Sequence, residues 1–225
     1  MLSALDGAVR DSVRSRIRNR RSIGDVAKVL IDFIASFFAL VFLAPAIGVI
    51  CVLLLLQDGR PLIYRHKRIG RDGRVFDCFK FRTMRRDADK VLQELLQADE
   101  AANREWKAYR KLRRDPRIHP LGQFLRVTSL DEIPQFLNVL RGEMSIVGPR
   151  PVVEEELALY GDRAHCYLSL TPGITGLWQV SGRNDTSYDD RVELDARYHA
   201  TRSFSLDVWI MWRTVGVLLL QRNGR

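Results

Sequence analysis

Cysteine is scarce in this chain: three in 225 residues, Cys51, Cys78 and Cys166, with no short spacing between them. An odd, scattered set indicates neither a disulfide framework nor a zinc site, and a reducing, cytosol-facing setting follows. His66, His119, His165 and His199 also lack metal-ligand spacing and read as structural or solvated. Glycine and proline are too few for a collagen, and there is no internal repeat or low-complexity tract. Acidic residues are outnumbered, 27 against 36 Lys and Arg, leaving a net charge of +9. With 46% hydrophobic residues the chain is not mainly disordered, and its length fits one compact domain with an appendage.

The apolar residues are concentrated. From Phe33 to Leu56 no residue carries a charge, and Ser36 is the only hydroxyl. As a helix this run would be about 36 Å long, enough for a hydrocarbon core of about 30 Å. A cleavable signal peptide is a poor match, because some thirty residues precede the run and its apolar stretch exceeds a typical signal core. Both flanks are basic: Arg14, Arg16, Arg18, Arg20, Arg21 and Lys28 before it, and Arg60, Arg65, Lys67, Arg68, Arg71 and Arg74 after it. A single crossing would leave one cluster on the trans side, against the positive-inside rule. Pro45, near the midpoint, removes a backbone donor and crowds the Val41 carbonyl. A helix-break-helix entering and leaving by the cytoplasmic leaflet satisfies both flanks; a transmembrane helix kinked at proline is the alternative. Lys28 and Asp32, four residues apart at the interface, are placed to pair.

The remainder reads as a soluble domain on the same side. Strands are expected at Leu62 to Tyr64 and Val75 to Phe81, joined through Gly70 and Asp72-Gly73, with Lys80 and Arg82 on one face of the second. Helical spacing follows from Asp87, through Val91, Leu92, Leu95 and Leu96 to Trp106, Tyr109 and Leu112, with Pro116 and Pro120 ending it. The basic, aromatic stretch from Trp106 to Arg114 suits a solvated face or lipid headgroups better than nucleic acid. Near the C-terminus Phe204, Val208, Met211, Trp212, Val215, Leu218 and Leu219 recur at helical spacing, as either a core helix or one lying in the interface plane beside Arg213, Arg222 and Arg225.

The chemistry concentrates between Leu125 and Pro151. Ser129 and Glu132 have the spacing of a capping box, which would explain both without catalysis. Asp131, in the first turn of the expected helix, is favoured by the helix dipole, which should keep it ionised near neutral pH. Asp131 and Glu132 point about 100° apart on a helix, so two separate tasks are the natural inference. Gly142 closes that helix. Next, Ser145-Ile146-Val147 forms a short apolar strand feeding Gly148-Pro149-Arg150-Pro151, where two prolines fix the backbone around one guanidinium suited to phosphate oxygens. A Gly-rich stretch from Pro172 to Gly176 leads on to Arg183. Carboxylates ringed by arginines are the equipment of phosphoryl transfer.

Four motifs then occur in order: Lys80-Phe81-Arg82-Thr83-Met84, Ser129 to Gln135, Ser145 to Pro151, and Pro172 to Gly176. With these, the chain from Lys28 onward resembles the bacterial sugar transferases, the monotopic polyprenyl-phosphate phosphoglycosyl transferases, and among them the galactosyl-phosphate transferases of succinoglycan-type exopolysaccharide synthesis. The resemblance implies transfer of a sugar 1-phosphate from UDP-sugar to undecaprenyl phosphate, with UMP released, at the bacterial inner membrane. It implies Asp131 as nucleophile and as ligand of Mg²⁺, and Glu132 in metal support or proton handling. Arg126, Arg150 and Arg183 match the family's phosphate-binding arginines, and Pro149 is expected with them among the substrate-binding residues. Lys80 and Arg82 match its basic strand, where packing or membrane contact is the other role open to them.

The chain departs from the family pattern at Val29, where an arginine is common, and at Ala44-Pro45, where Ser-Pro is common. The expected fold is α+β. A basic segment (1–27) and a re-entrant membrane helix (28–58) precede a compact, mainly helical cytosolic catalytic domain (59–225) with a small β-hairpin and interfacial amphipathic helices. The expected partners are UDP-sugar, undecaprenyl phosphate and membrane lipids, with no nucleic acid; a homodimer through the membrane-proximal helices is left open. A basic membrane-anchored nucleic-acid binder and a non-catalytic scaffold are the competing readings. Galactose and glucose differ at one hydroxyl, and no residue in the sequence identifies which is used.

Overall fold

The apolar run folds as one long helix. In the computed structural model, which describes residues 23–109, 112, 114–182 and 187–220, α1 spans Ile23–Asp58 and continues through Pro45. Its 36 residues amount to about 54 Å of helix, well beyond the thickness of a hydrocarbon core. By length and composition it is able to cross a membrane. Its packing is one-sided. Asp32, Ser36, Ile50 and Leu54 are buried, and Leu40, Leu43 and Ile47 between them are half-buried, a stripe at intervals of three or four residues. Phe33, Phe37, Phe42, Val49, Val52 and Leu56 on the remaining surface are exposed.

Both ends of α1 are tied to the same body. At the start, Asp25 pairs with Arg202 (3.3 Å), Lys28 with Asp207 (2.8 Å) and, as expected, with Asp32 (3.5 Å), and Ser145 Oγ donates to Asp32 Oδ2 (2.6 Å). At the finish, the Arg82 guanidinium donates to the carbonyl oxygens of Asp58 (3.0 Å) and Gly59 (2.8 Å) and pairs with the Asp58 carboxylate. Those carbonyls belong to the unsatisfied last turn, so Arg82 serves as the C-terminal cap of α1.

An antiparallel hairpin follows, β1 (Ile63–Ile69) and β2 (Val75–Phe81). The second strand matches the sequence reading. The first runs five residues past Tyr64, because the basic positions Arg65, Lys67 and Arg68 pair across to β2. The expected helix from Asp87 is two, α2 (Ala88–Ala98) and α3 (Glu100–Tyr109), separated where the Asp99 carboxylate accepts from the amides of Ala101 and Ala102. Pro120 opens a helix rather than ending one: it sits in the first turn of α4 (Pro120–Val127), which His119 caps by accepting from the Gly122 amide. Then come α5 (Gln135–Leu140), β3 (Ser145–Val147), α6 (Glu154–Ala158), α7 (Ala164–Leu168), β4 (Gly173–Thr175) and α8 (Leu177–Ser181). The chain continues as α9 (Tyr188–Thr201) and α10 (Phe204–Leu220).

The fold is therefore mainly helical with the expected small β-hairpin, and it adds a second two-stranded sheet that was not expected. β3 and β4 pair in parallel, and their backbones meet closely: a Cβ on Gly148 would lie 2.3 Å from the Thr171 carbonyl oxygen, and one on Gly173 2.1 Å from the Gly148 amide. Only glycine permits this contact, which binds the Gly148-Pro149 and Pro172-Gly173 motifs together. Three apolar clusters position the site. Ile50 and Leu54 of α1 pack with Phe81, Leu125 and Ile133. Ile69, Val152, Tyr160, Tyr167 and Val192 form a second, and Val147, Leu177, Val180, Tyr198 and Ile210 a third. On α10, Asp207, Ile210 and Val217 face inward while Phe204, Val208, Trp212 and Val215 are exposed.

Candidate active site

The expected capping box is absent. Ser129 adopts left-handed backbone (φ 56°, ψ 16°) and makes no cap bond; it ends α4, and Leu130–Glu132 form a single 3-10 turn before Pro134 and α5. The structural explanation for Glu132 is thereby removed. No extended helix starts at Asp131, so no macrodipole supports its charge. Burial instead raises the Asp131 carboxyl to about 6, partly countered by the positive charges of Lys80 and Arg126. It remains mostly ionised at neutral pH, through those cations rather than a helix end.

Lys80 reaches both acids. Its Nζ lies 2.6 Å from Glu132 Oε1 and 4.0 Å from Asp131 Oδ2. The strand is fixed beneath them by Asn138, fully buried on α5. Its Oδ1 accepts from the Phe79 amide (3.0 Å), while its Nδ2 donates to the Asp77 carbonyl and the Glu143 carboxylate (2.7 Å each). Arg126 Nε donates to Thr83 Oγ1 (2.8 Å), and Asp131 opposes the lowering of its pKa by burial. Lys80, Thr83, Arg126, Asp131 and Glu132 line an open cleft of about 2180 Å³, larger than a typical single small-molecule pocket of about 300–1,000 Å³.

The structure brings Lys80, Arg126, Asp131, Glu132 and Arg150 to this cleft. Arg82 also borders it, but its hydrogen bonds go to the end of α1. Pro149 is fully buried in the turn joined to β4, where its carbonyl accepts from Gly173 N (2.8 Å), and so shapes the loop rather than facing the cleft. Arg183 lies outside the described residues. Three further groups escaped the sequence reading. Tyr64, His66 and Arg68 alternate along β1 on the face shared with Lys80, and all line the cleft. Arg68 Nη2 is 3.1 Å from His66 Nδ1 and Arg68 Nη1 is 3.4 Å from Glu156. Burial and the cations Arg68 and Lys80 push His66 below its usual range, which favours its neutral form. Alternation was the available signal, and ending the strand at Tyr64 hid it.

Such a cleft, with the Asp131 carboxylate set among cations, suits an anionic, phosphate-bearing substrate. A profile of the family "Bacterial sugar transferase" matches residues 23–221. The chain is 48% identical over 204 residues to the exopolysaccharide production protein ExoY of Sinorhizobium fredii, covering 91% of this chain and 90% of that one. It is 46% identical to the undecaprenyl-phosphate galactose phosphotransferase of Salmonella typhimurium (86% of this chain, 40% of the other). It is 35% identical to the UDP-glucose:undecaprenyl-phosphate glucose-1-phosphate transferase of Escherichia coli (82% and 38%). The chain belongs to the bacterial sugar transferase family.

Proposed function

We propose that this protein transfers a hexose 1-phosphate from UDP-sugar, UDP-galactose or UDP-glucose, to undecaprenyl phosphate. The products are undecaprenyl-diphospho-sugar and UMP, the first membrane step of exopolysaccharide synthesis. The observation that carries the reading is Asp131: buried, raised to about 6, yet within reach of Lys80 and Arg126. A carboxylate poorly solvated and mostly ionised is a competent nucleophile. Its oxygen attacks the sugar-bearing phosphorus, the bond to the UMP oxygen breaks, and UMP leaves with the electron pair. An oxygen of the lipid phosphate then attacks the same phosphorus and the Asp131 carboxylate departs. Lys80 and Arg126 stabilise negative charge on the phosphoryl oxygens in both steps. Glu132, held 2.6 Å from Lys80, receives any proton still carried by the lipid phosphate or supports the metal.

Among the described residues no group of three or more metal-ligating side chains converges. Asp131 and Glu132, neighbouring carboxylates that line the cleft, fit Mg²⁺ shared with substrate, since this ion commonly takes one or two carboxylates and completes its shell with phosphate oxygens and water. Asp131 would hold it, with Glu132 in support. When bound, the ion neutralises charge on the diphosphate.

The membrane arrangement of this reading is monotopic, on the cytoplasmic leaflet of the inner membrane, with α1 entering and leaving by one face although its helix runs through Pro45 without the expected break. Support comes from the ion pairs at both ends of α1 to a single body. A straight crossing would separate those ends by the bilayer. Ile133, two residues beyond Asp131, shares an apolar cluster with Ile50 and Leu54 of α1, which supports a position of the acid close to the lipid phase in this reading. The exposed stripe of α10, with Trp212 and with Arg213 5.8 Å from the Trp209 ring centroid, suits the headgroup layer.

The test is radiolabel transfer from a panel of UDP-sugars to undecaprenyl phosphate, with UMP release and mass analysis of trapped enzyme. Transfer that is lost in Asp131→Asn, and a phosphosugar adduct mapped to Asp131, are expected. An adduct at another residue overturns the site assignment, and a folded protein inactive with every donor overturns the activity.

A further inference from the structure

The cleft is larger than one substrate of the proposed pair requires, and its lining is not uniform. At about 2180 Å³ it is more than twice the upper size of a small-molecule pocket, about 1,000 Å³. Around Asp131 it is cationic, with Lys80, Arg126 and Arg150. Elsewhere it is apolar: Leu43 of α1, Phe136 of α5, Ile146 of β3, Ile174 of β4 and Met211 of α10 also line it, each half-buried. Leu43 and Phe136 pack on the cluster of Ile50, Leu54 and Ile133, and Ile146 and Met211 on that of Val147, Leu177 and Ile210. Core thus backs these side chains and fixes them where they border the cleft. Thr175 and Thr214, on the same strand and helix as Ile174 and Met211, line it too, but their protons are taken. Thr214 donates to the Ile210 carbonyl oxygen (2.8 Å), so Thr175 donates to Thr214 (2.7 Å).

This apolar part belongs to the helices that face lipid. Leu43 lies near the midpoint of the uncharged run 33–56. Its neighbour Phe42 is 84% exposed, and Trp212, the neighbour of Met211, is 76% exposed. Each helix therefore presents one residue to the cleft and the next to its surroundings, which are hydrocarbon or headgroups in the arrangement proposed above. Ile133, two residues from Asp131, also lines the cleft, so one cavity joins the acid to α1 and α10. A nucleotide sugar gains nothing from such walls, because its polar groups would lose water there without a replacement hydrogen bond. An isoprenoid chain gains for every methylene it covers.

We propose that this apolar limb of the cleft holds the phosphate-proximal isoprene units of the lipid acceptor, which enter past Leu43 and Met211. The inference deepens the proposed reaction and rests on it. Displacement at the phosphorus carried by Asp131 brings the lipid phosphate to the side that UMP vacates, in line with the departing carboxylate. The two substrates use the cationic part in turn, and only their remainders, nucleoside and isoprenoid, take separate places. Leu43 and Met211 touch the chain and select it; they take no part in bond making.

The test uses the full chain in nanodiscs and separates the two half-reactions. Without acceptor, the UDP-sugar gives UMP and the phosphosugar adduct; undecaprenyl phosphate or farnesyl phosphate, added at subsaturating concentration, then discharges it. Leu43→Ala and Met211→Ala are expected to slow discharge by roughly 10-fold or more, the scale of a methylene-sized misfit in an apolar pocket. Adduct formation keeps its wild-type rate in both, which also reports a folded donor site, and Met211→Leu, close in volume, retains discharge. Unaltered discharge in both alanine variants overturns the proposal. So does an equal loss in the two half-reactions, which would make these walls structural, or a loss confined to adduct formation, which would make them part of the donor site. If the wild-type chain forms the adduct and the variants discharge it normally, only this inference falls. If the wild-type chain neither forms the adduct nor transfers sugar, the proposed reaction falls with it.

Discussion

Asp131→Asn should abolish transfer and yet stabilise the protein. The carboxyl moves from 3.8 to about 6 on folding because burial withdraws water that Lys80 and Arg126 only partly replace. At 1.36 kcal/mol per pH unit, that displacement corresponds to about 3 kcal/mol of destabilisation when the group is ionised. The neutral amide is relieved of that cost, and Lys80 keeps its partner Glu132 at 2.6 Å. Allowing for relaxation around the amide, the gain is on the order of 1–3 kcal/mol at pH 8, with a rise in Tm of roughly 2–4 °C per kcal/mol for a chain of this size. Its sign with pH is fixed. Between 3.8 and about 6 the folded state holds a proton that the unfolded state has released, so wild-type stability falls as pH rises through that window. Below 3.8 both states are protonated and the advantage of asparagine vanishes. Thermal melts of both proteins in nanodiscs at pH 8 and near pH 4 measure the gap. A gap of zero at pH 8, or one independent of pH, would refute the idea that stability is given up here to hold a reactive carboxylate.

Other perturbations follow from the same geometry. Lys80→Met removes the cation 4.0 Å from Asp131, so the acidic limb of the pH–rate profile, expected near pH 6 in the wild type, should move to higher pH. Arg82→Ala uncaps α1 and strips Asp58 of its partner, a loss of about 2–3 kcal/mol that chemical denaturation would register. Gly148→Ala forces a Cβ to within 2.3 Å of a backbone oxygen and should cost more than about 2 kcal/mol. Gly142→Ala, with φ +71° but open space around it, should cost only about 1 kcal/mol, and paired melts would separate the two.

Much of the local structure around the candidate site was readable from residue order. β2, β3, the helix closed by Gly142, and the Lys28–Asp32 pair occur as periodicity and turn chemistry indicated. The misreadings share a cause. Ser129 and Glu132 have capping-box spacing, but a left-handed Ser129 and Pro134 place a 3-10 turn where a helix was expected. Arg82 sits in a family motif beside Lys80, but its preference for two free carbonyls at the end of α1 is set by a helix distant in sequence.

By itself, the sequence determined the apolar helix, its basic flanks, and the acids and arginines in their order along the chain, because these depend on composition and on neighbours a few residues away. Tertiary structure alone decided that both ends of α1 rest on one body, that Asp131 is buried enough to be raised to about 6, and that Tyr64, His66 and Arg68 line the cleft with Lys80. The reason is physical: desolvation and the pairing of charges depend on distances between segments far apart in the chain, and no local pattern of residues fixes those distances.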